Sequence, residues 1–265
     1  MNTTHPRPEL LSRLALVVTS LVALGVVAWP LLASAGNFSS QSAVVVSLVV
    51  MPALIVVLSL VLDSSLRNTT VLALVGVLAA LAAAARVVST GAGGFELVFV
   101  VVILAGRALG ARLGFVVGLL AIALSSLVWG GLGPWSAFQM LAVGWVGAGA
   151  GLLPHRGLVV PPARRWREVA MLAGYGVIAS YAFGLVMNLW FWPIALGPDT
   201  TLSLVDGGGL ADNTVRWLVY SLGSSTLTWD TVRALTTAVT LSLVGRPVLV
   251  ALRRVYDRSA TQKSI

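Results

Sequence analysis

Eight apolar runs cover most of the chain, at roughly 13–33, 42–62, 70–90, 95–109, 113–130, 136–153, 168–194 and 231–252. Most hold about the twenty residues that a hydrocarbon core of about 30 Å demands, and 95–109 is short enough to be tilted or partly re-entrant. In lipid each run must satisfy its own backbone, so each is read as a helix. The connectors between them alternate in charge. Arg7 and Arg13 precede the first run and 34–41 is uncharged; Arg67 comes next, then the uncharged 91–94. Arg107 and Arg112 follow, then the uncharged 131–135, then His155, Arg156, Arg164, Arg165 and Arg167. The 195–230 segment sets Asp199, Asp206, Asp212 and Asp230 against Arg216, and the tail carries Arg253, Arg254, Arg258 and Lys263. Basic connectors stay on the cytoplasmic side, so the alternation predicts an all-α polytopic plasma-membrane protein with eight transmembrane helices and both termini inside.

Composition agrees and removes other classes. Hydrophobic residues are 58% of the 265, charged residues 10%, and the net charge of +8 is accounted for by basic groups held on one membrane side. There is no cysteine, and the two histidines, His5 and His155, lie in polar flanks. Disulfides, thiol chemistry and Cys- or His-based metal sites drop out, and no metal or cofactor is expected. No Walker A loop, HExxH or GxSxG occurs, so no ATP hydrolysis or other enzyme activity is expected. Acidic groups are absent from mid-span, which argues against a self-powered proton-coupled transporter. Arg13, the first apolar run and Ala33-Ser34-Ala35 also fit a signal peptide, but the run is long for one and a retained helix is preferred.

Candidate ligand groups collect at the outer ends of the runs. The predicted topology sets Trp29, Trp129, Trp135, Trp190, Trp192, Trp217 and Trp229 outside, with Trp166 inside and Trp145 mid-span. An aromatic belt would be more even, so the surplus predicts a cup of flat amphipathic rings. Ionisable groups in spans are costly and point to function. Arg86 lies about 24 Å along its helix at 1.5 Å per residue, and Glu96 opens the next, so the two are expected to pair across the Gly-rich 91–94 turn. Such a pair either tethers two helix ends or touches solute. In TLTWDTVRA, Asp230 and Arg233 share one face, with Asp230 suited to capping the helix start and Arg233 directed into the outer half of the bundle. Asn188, in MNLWFWP, serves either a helix–helix hydrogen bond or a ligand.

The stretch GGLGPWSAFQM, residues 130–140, breaks the apolar pattern with Gly130, Gly131, Gly133 and Pro134, which predicts a tight outer turn. Trp135 and Gln139 then share one helix face, a stacking surface beside a donor–acceptor amide. VLAALAAAAR presents Ala79/Ala83 and Ala80/Ala84 at small-xxx-small spacing, for internal packing or a partner subunit. Gly147, Gly149 and Gly151 lie inside a span with no preceding strand, so they predict a close-packing face and no dinucleotide site.

Four stretches together, LVFVVVILAGRALGARLGF, GGLGPWSAFQMLAVGWVGAGAGLLP, MNLWFWP and TWDTVRA, resemble the substrate-binding S components of energy-coupling factor (ECF) transporters, particularly the actinobacterial type. The resemblance covers roughly 70–255. It implies a six-helix core over 66–256 with a long outer loop at 195–230, preceded by a two-helix extension over 1–65 and followed by a cytoplasmic tail over 257–265. It further implies an outer-face site for a vitamin-like solute, and S components resembling this stretch are often linked to cobalamin or related corrinoids. The expected site residues are Arg86, Glu96, Trp135, Gln139, Asn188, Trp229, Asp230 and Arg233. Docking to a transmembrane T component that carries two cytoplasmic ABC ATPases is implied, with Ala79, Ala80, Ala83 and Ala84 as the contact. The alternative is a structural or assembly membrane protein whose outer Trp cluster meets lipid or an envelope partner.

Overall fold

In the computed structural model the described residues are 17–33 except Thr19, then 52, 53 and 55, then 69–89, 93–128, 131–154 except Pro134, and 162–261, with backbone only at 33, 162–165 and 258–261. The expected span over 42–62, the basic 155–161, and Trp129, Gly130 and Pro134 of the turn lie outside these residues.

The described residues are helical, with no strand among them. The elements are α1 (Trp29–Ala33), α2 (Thr69–Ser89), α3 (Val98–Leu109), α4 (Ala111–Val128), α5 (Ser136–Leu152), α6 (Pro162–Ala195), α7 (Leu210–Ser221), a π-helical segment (Leu222–Asp230) and α8 (Thr231–Thr261). Four stretches are long and apolar enough to cross a membrane: Thr69–Ser89, Ala111–Val128, Trp166–Ala195 and Leu210–Asp257. The apolar α3 and α5 are shorter. The chain thus has the helices of a membrane protein.

The chain divides into two compact units, Met1–Asn68 with Leu189–Val219, and Thr69–Asn188 with Tyr220–Ile265. In the first, Trp29 is buried against Leu204, and the Trp192 indole donates to the Leu202 carbonyl at 2.7 Å. Asn213 ties the 205 backbone down at both its N–H and its carbonyl.

The second unit is built around α3. This helix is apolar all round and ten of its twelve residues are buried, which fits a core helix better than a span exposed to lipid. It packs on α2, α4, α5 and α8, and α4 packs most extensively on α5. Glycines set those distances. A Cβ on Gly106 would lie 1.9 Å from the Gly147 carbonyl oxygen, and one on Gly147 would lie 2.2 Å from that of Gly114. The Gly147 region is therefore a close-packing face, as its small residues predict. On α2, Ala79 and Ala83 are buried within the unit, while Ala80 and Ala84 are exposed.

One expected feature is overturned. The 195–230 segment is not a long loop, because helix resumes at Leu210 and runs on through the π segment into α8. Residues 210–222 contain neither Gly nor Pro, and Asp212 in the first turn favours the positive end of the helix dipole. Only 196–209 are irregular.

Candidate functional site

The start of α8 carries Arg233, buried between two rings. Its guanidinium carbon stands 4.9 Å from the Phe183 centroid and 5.6 Å from that of Phe99, and those two rings meet edge-on at 5.3 Å. Guanidinium over an aromatic face is attractive, most so where water is excluded. Two carboxylates hold it. The Arg233 Nε donates to Glu96 at 2.5 Å, and Nη1 donates to Asp230 at 2.6 Å and to the Ser180 carbonyl at 3.3 Å. Asp230 is 1% exposed and Arg233 6%, whereas the Glu96 side chain keeps 21% of its surface exposed, so the cluster is buried on one side and open at Glu96.

The cluster extends through hydroxyl and amide groups. Ser225 Oγ donates to Asp230 at 2.9 Å and accepts from the Asn188 amide at 2.7 Å. The π-helical backbone explains this contact. With five residues to the hydrogen-bonded turn, Ser225 comes under Asp230, five positions on, and π-helical turns are often found at functional sites. Two close approaches fix the position of Asp230. A Cβ on Gly184 would fall 2.0–2.3 Å from its carboxylate atoms, and one on Gly94 would fall 2.5 Å from the Trp229 carbonyl oxygen. Any side chain at either place would displace the carboxylate or the 229–230 backbone.

A second polar group lies on α2, α4 and α5. Arg86 Nη1 donates to Ser125 Oγ at 2.9 Å and Nη2 to Gln139 Oε1 at 3.3 Å. Glu96 is within Coulombic range of Arg86. Two basic side chains, Arg86 and Arg233, thus stand against two acidic ones, Glu96 and Asp230, so their formal charges balance.

At the opposite end of the same unit stands another buried arginine. Arg107 Nε donates to Glu168 at 2.7 Å, while Nη1 and Nη2 donate to the carbonyls of Leu153 and Pro154 at 2.9 and 3.2 Å. Arg253 closes on Glu168 from α8 at 2.6 and 3.1 Å. Glu168 and Phe183 are fifteen residues apart on α6, about 22 Å along the axis.

Measured against the sequence, the structure brings Glu96, Asp230, Arg233 and Asn188 into one connected cluster and joins Arg86 to Gln139. The expected partner of Glu96 is Arg86; the ion pair observed is with Arg233, 137 residues away in the chain, with Arg86 nearby. The expected capping role of Asp230 is corrected: helix runs on from Leu210 through the π segment into α8, so there is no helix start to cap, and the carboxylate instead salt-bridges Arg233 and takes the Ser225 hydroxyl. The Trp residues expected at the outer ends differ in burial: in the first unit Trp29, Trp190 and Trp192 are buried at 8%, 4% and 0%, and Trp217 is half-buried. Trp135 and Trp229 stay in the second unit and are exposed at 41% and 45%. Ser225, Ser125, Ser180, Phe99, Phe183 and the Arg107–Glu168–Arg253 group are additions that the sequence did not single out.

Among the described residues no group of three or more His, Cys, Asp or Glu side chains could hold a metal ion. Comparison with protein families, with curated proteins and with solved structures gives no match.

Proposed function

We propose that this chain is the substrate-binding membrane subunit of an ECF-type importer, taking a vitamin-like small molecule, of which a corrinoid is one candidate, at the outer face for uptake driven by partner ATPases. The observation that carries this is the partly buried Glu96–Arg233–Asp230 cluster with its Ser225–Asn188 extension. Four ionisable groups in an apolar bundle are expensive, and such groups in membrane spans mark solute pathways more often than they mark stability. Arg86, Gln139 and Ser125 add donors and acceptors, and Phe99 and Phe183 add ring faces. The net balance of charge suits a solute that is polar but close to neutral. The motif resemblance to S components supports the same assignment, and the exposed Ala80 and Ala84 offer a small-residue face for a T component.

The test is calorimetric titration of the purified protein in detergent with a broad vitamin panel, without ATP. Binding of one member, lost in Arg233→Ala and weakened in Trp135→Ala, supports the proposal. No binding across the panel overturns it. A second function is favoured by the mutual pairing of the charges, which can be satisfied with no ligand at all: a structural or assembly protein that meets lipid or an envelope partner through Trp135 and Trp229. Copurification with a T component and two ABC ATPases separates the two, since an assembly protein would bring down only unrelated envelope proteins.

A further inference from the structure

One face of α8 has a feature that the solute site does not use. Leu235, Val239, Leu243, Pro247 and Ala251 follow one another at four-residue spacing, so they form one stripe along the helix, and all five are exposed. Leu243 alone is 76% exposed, an apolar surface that water would not tolerate but acyl chains would. The stripe runs into a cavity of about 530 Å³ whose described walls are Arg246, Pro247, Val250, Ala251 and Arg254. Pro247 helps to shape that cavity: it has no N–H to give the Leu243 carbonyl, and its ring pushes against the preceding turn.

The two arginines set the charge of the cavity. Among the described residues neither Arg246 nor Arg254 enters an ion pair, in contrast with Arg253 between them, which is bound to Glu168. Eight residues separate them, about 12 Å along the axis, and two long flexible side chains on one cavity can meet at a single phosphate. Guanidinium is the side chain best matched to phosphate oxygens, through paired N–H groups. An apolar stripe that ends at two guanidiniums with no ion pair among the described residues is the complement of an anionic phospholipid, with acyl chain on the stripe and headgroup in the cavity. Basic cavities at the ends of spanning helices bind such headgroups elsewhere.

We infer that α8 carries a binding site for an anionic phospholipid, with Arg246 and Arg254 on the phosphate and Leu235, Val239 and Leu243 under an acyl chain. Its headgroup end lies well along α8 from the Arg233 cluster, and the inference does not rest on the transport assignment. The experiment is native mass spectrometry and thermal unfolding of the full chain in detergent, titrated with phosphatidylglycerol, phosphatidylcholine or glycerol phosphate. Phosphatidylglycerol is expected to bind and raise the unfolding temperature, phosphatidylcholine and glycerol phosphate to do neither. Arg246→Gln/Arg254→Gln should bind it about 30-fold more weakly, the effect of two surface cations, and the Lys/Lys variant should keep most of the binding. Equal binding of phosphatidylcholine, equal stabilisation by glycerol phosphate, or unchanged affinity in the double Gln variant overturns the inference. Should that variant not fold, Ala251→Trp keeps both charges and fills the groove; retained phosphatidylglycerol binding in it also overturns the site.

Discussion

Among the described residues the second unit has two buried arginines, and they are held in opposite ways. Arg107 spends Nη1 and Nη2 on backbone carbonyls where α5 ends, and its Nε on Glu168, which is clamped in turn by Arg253. Helix ends leave carbonyls without partners, and a guanidinium that satisfies two of them stitches α3, α5, α6 and α8 together. Arg233 relies chiefly on side chains: two carboxylates, two rings and a hydroxyl relay, with one carbonyl at 3.3 Å. Side chains can change partners; helix-end carbonyls cannot move away without unfolding the turn. The contrast teaches that one buried charge group is a fastening and the other an arrangement of groups that a solute could enter.

The largest effect should come from the fastening. Arg107→Ala strands two carbonyls and leaves Glu168 with Arg253 alone, so a loss of about 3–5 kcal/mol is expected in unfolding measured in detergent. An Arg107→Ala variant as stable as wild type would remove the distinction between the two ends. Next, Gly147→Ala tests whether close helix approach holds both ends in register. Its Cβ would lie 2.2 Å from the Gly114 carbonyl oxygen, so a loss of about 1–3 kcal/mol is expected from the same unfolding measurement. A smaller effect should follow at the Arg233 end. Ser225→Ala takes one hydrogen bond from Asp230 and one from Asn188, a cost of about 1–2 kcal/mol in stability, together with weaker solute binding by calorimetry. Trp135→Ala should be the mildest, within about 0.5 kcal/mol in stability because the indole is exposed, and visible chiefly in solute affinity.

Much of the helical plan was legible. Hydropathy marked α2, α4, α5 and α6, and the glycines of the Gly147 region announced their own close packing because no other residue fits between adjacent backbones. The i, i+3 spacing put Asp230 and Arg233 on one face, where they indeed meet. The rest depended on distant partners. Depth along neighbouring helices pairs Glu96 with Arg86 across the 91–94 turn, and the two are within Coulombic range; the ion pair of Glu96 with Arg233, 137 residues on, is a relation no local pattern encodes. Of three glutamates, Glu9, Glu96 and Glu168, two lie at apolar runs, and pairing each with a span-end arginine is the signal that could have found both clusters. The 195–230 segment lies between apolar runs and is expected to be a loop, yet only 196–209, with Gly197, Pro198 and the glycines at 207–209, is irregular; Asp212 and Asp230 are carried by helical backbone. The predicted topology gives each Trp an expected level but no direction, so the burial of Trp190 and Trp192 could not be read from it.

The central claim is that the Arg233 cluster is kept for function and the Arg107 cluster for stability. It is tested most directly by the unfolding free energies of two neutralised triple variants, Glu96→Gln/Asp230→Asn/Arg233→Met and Arg107→Met/Glu168→Gln/Arg253→Met. Replacing an ion cluster whole is often neutral, so the first should stay within about 1 kcal/mol of wild type, whereas the second should lose at least about 2 kcal/mol through its stranded carbonyls. A first variant that loses as much as the second would contradict the account.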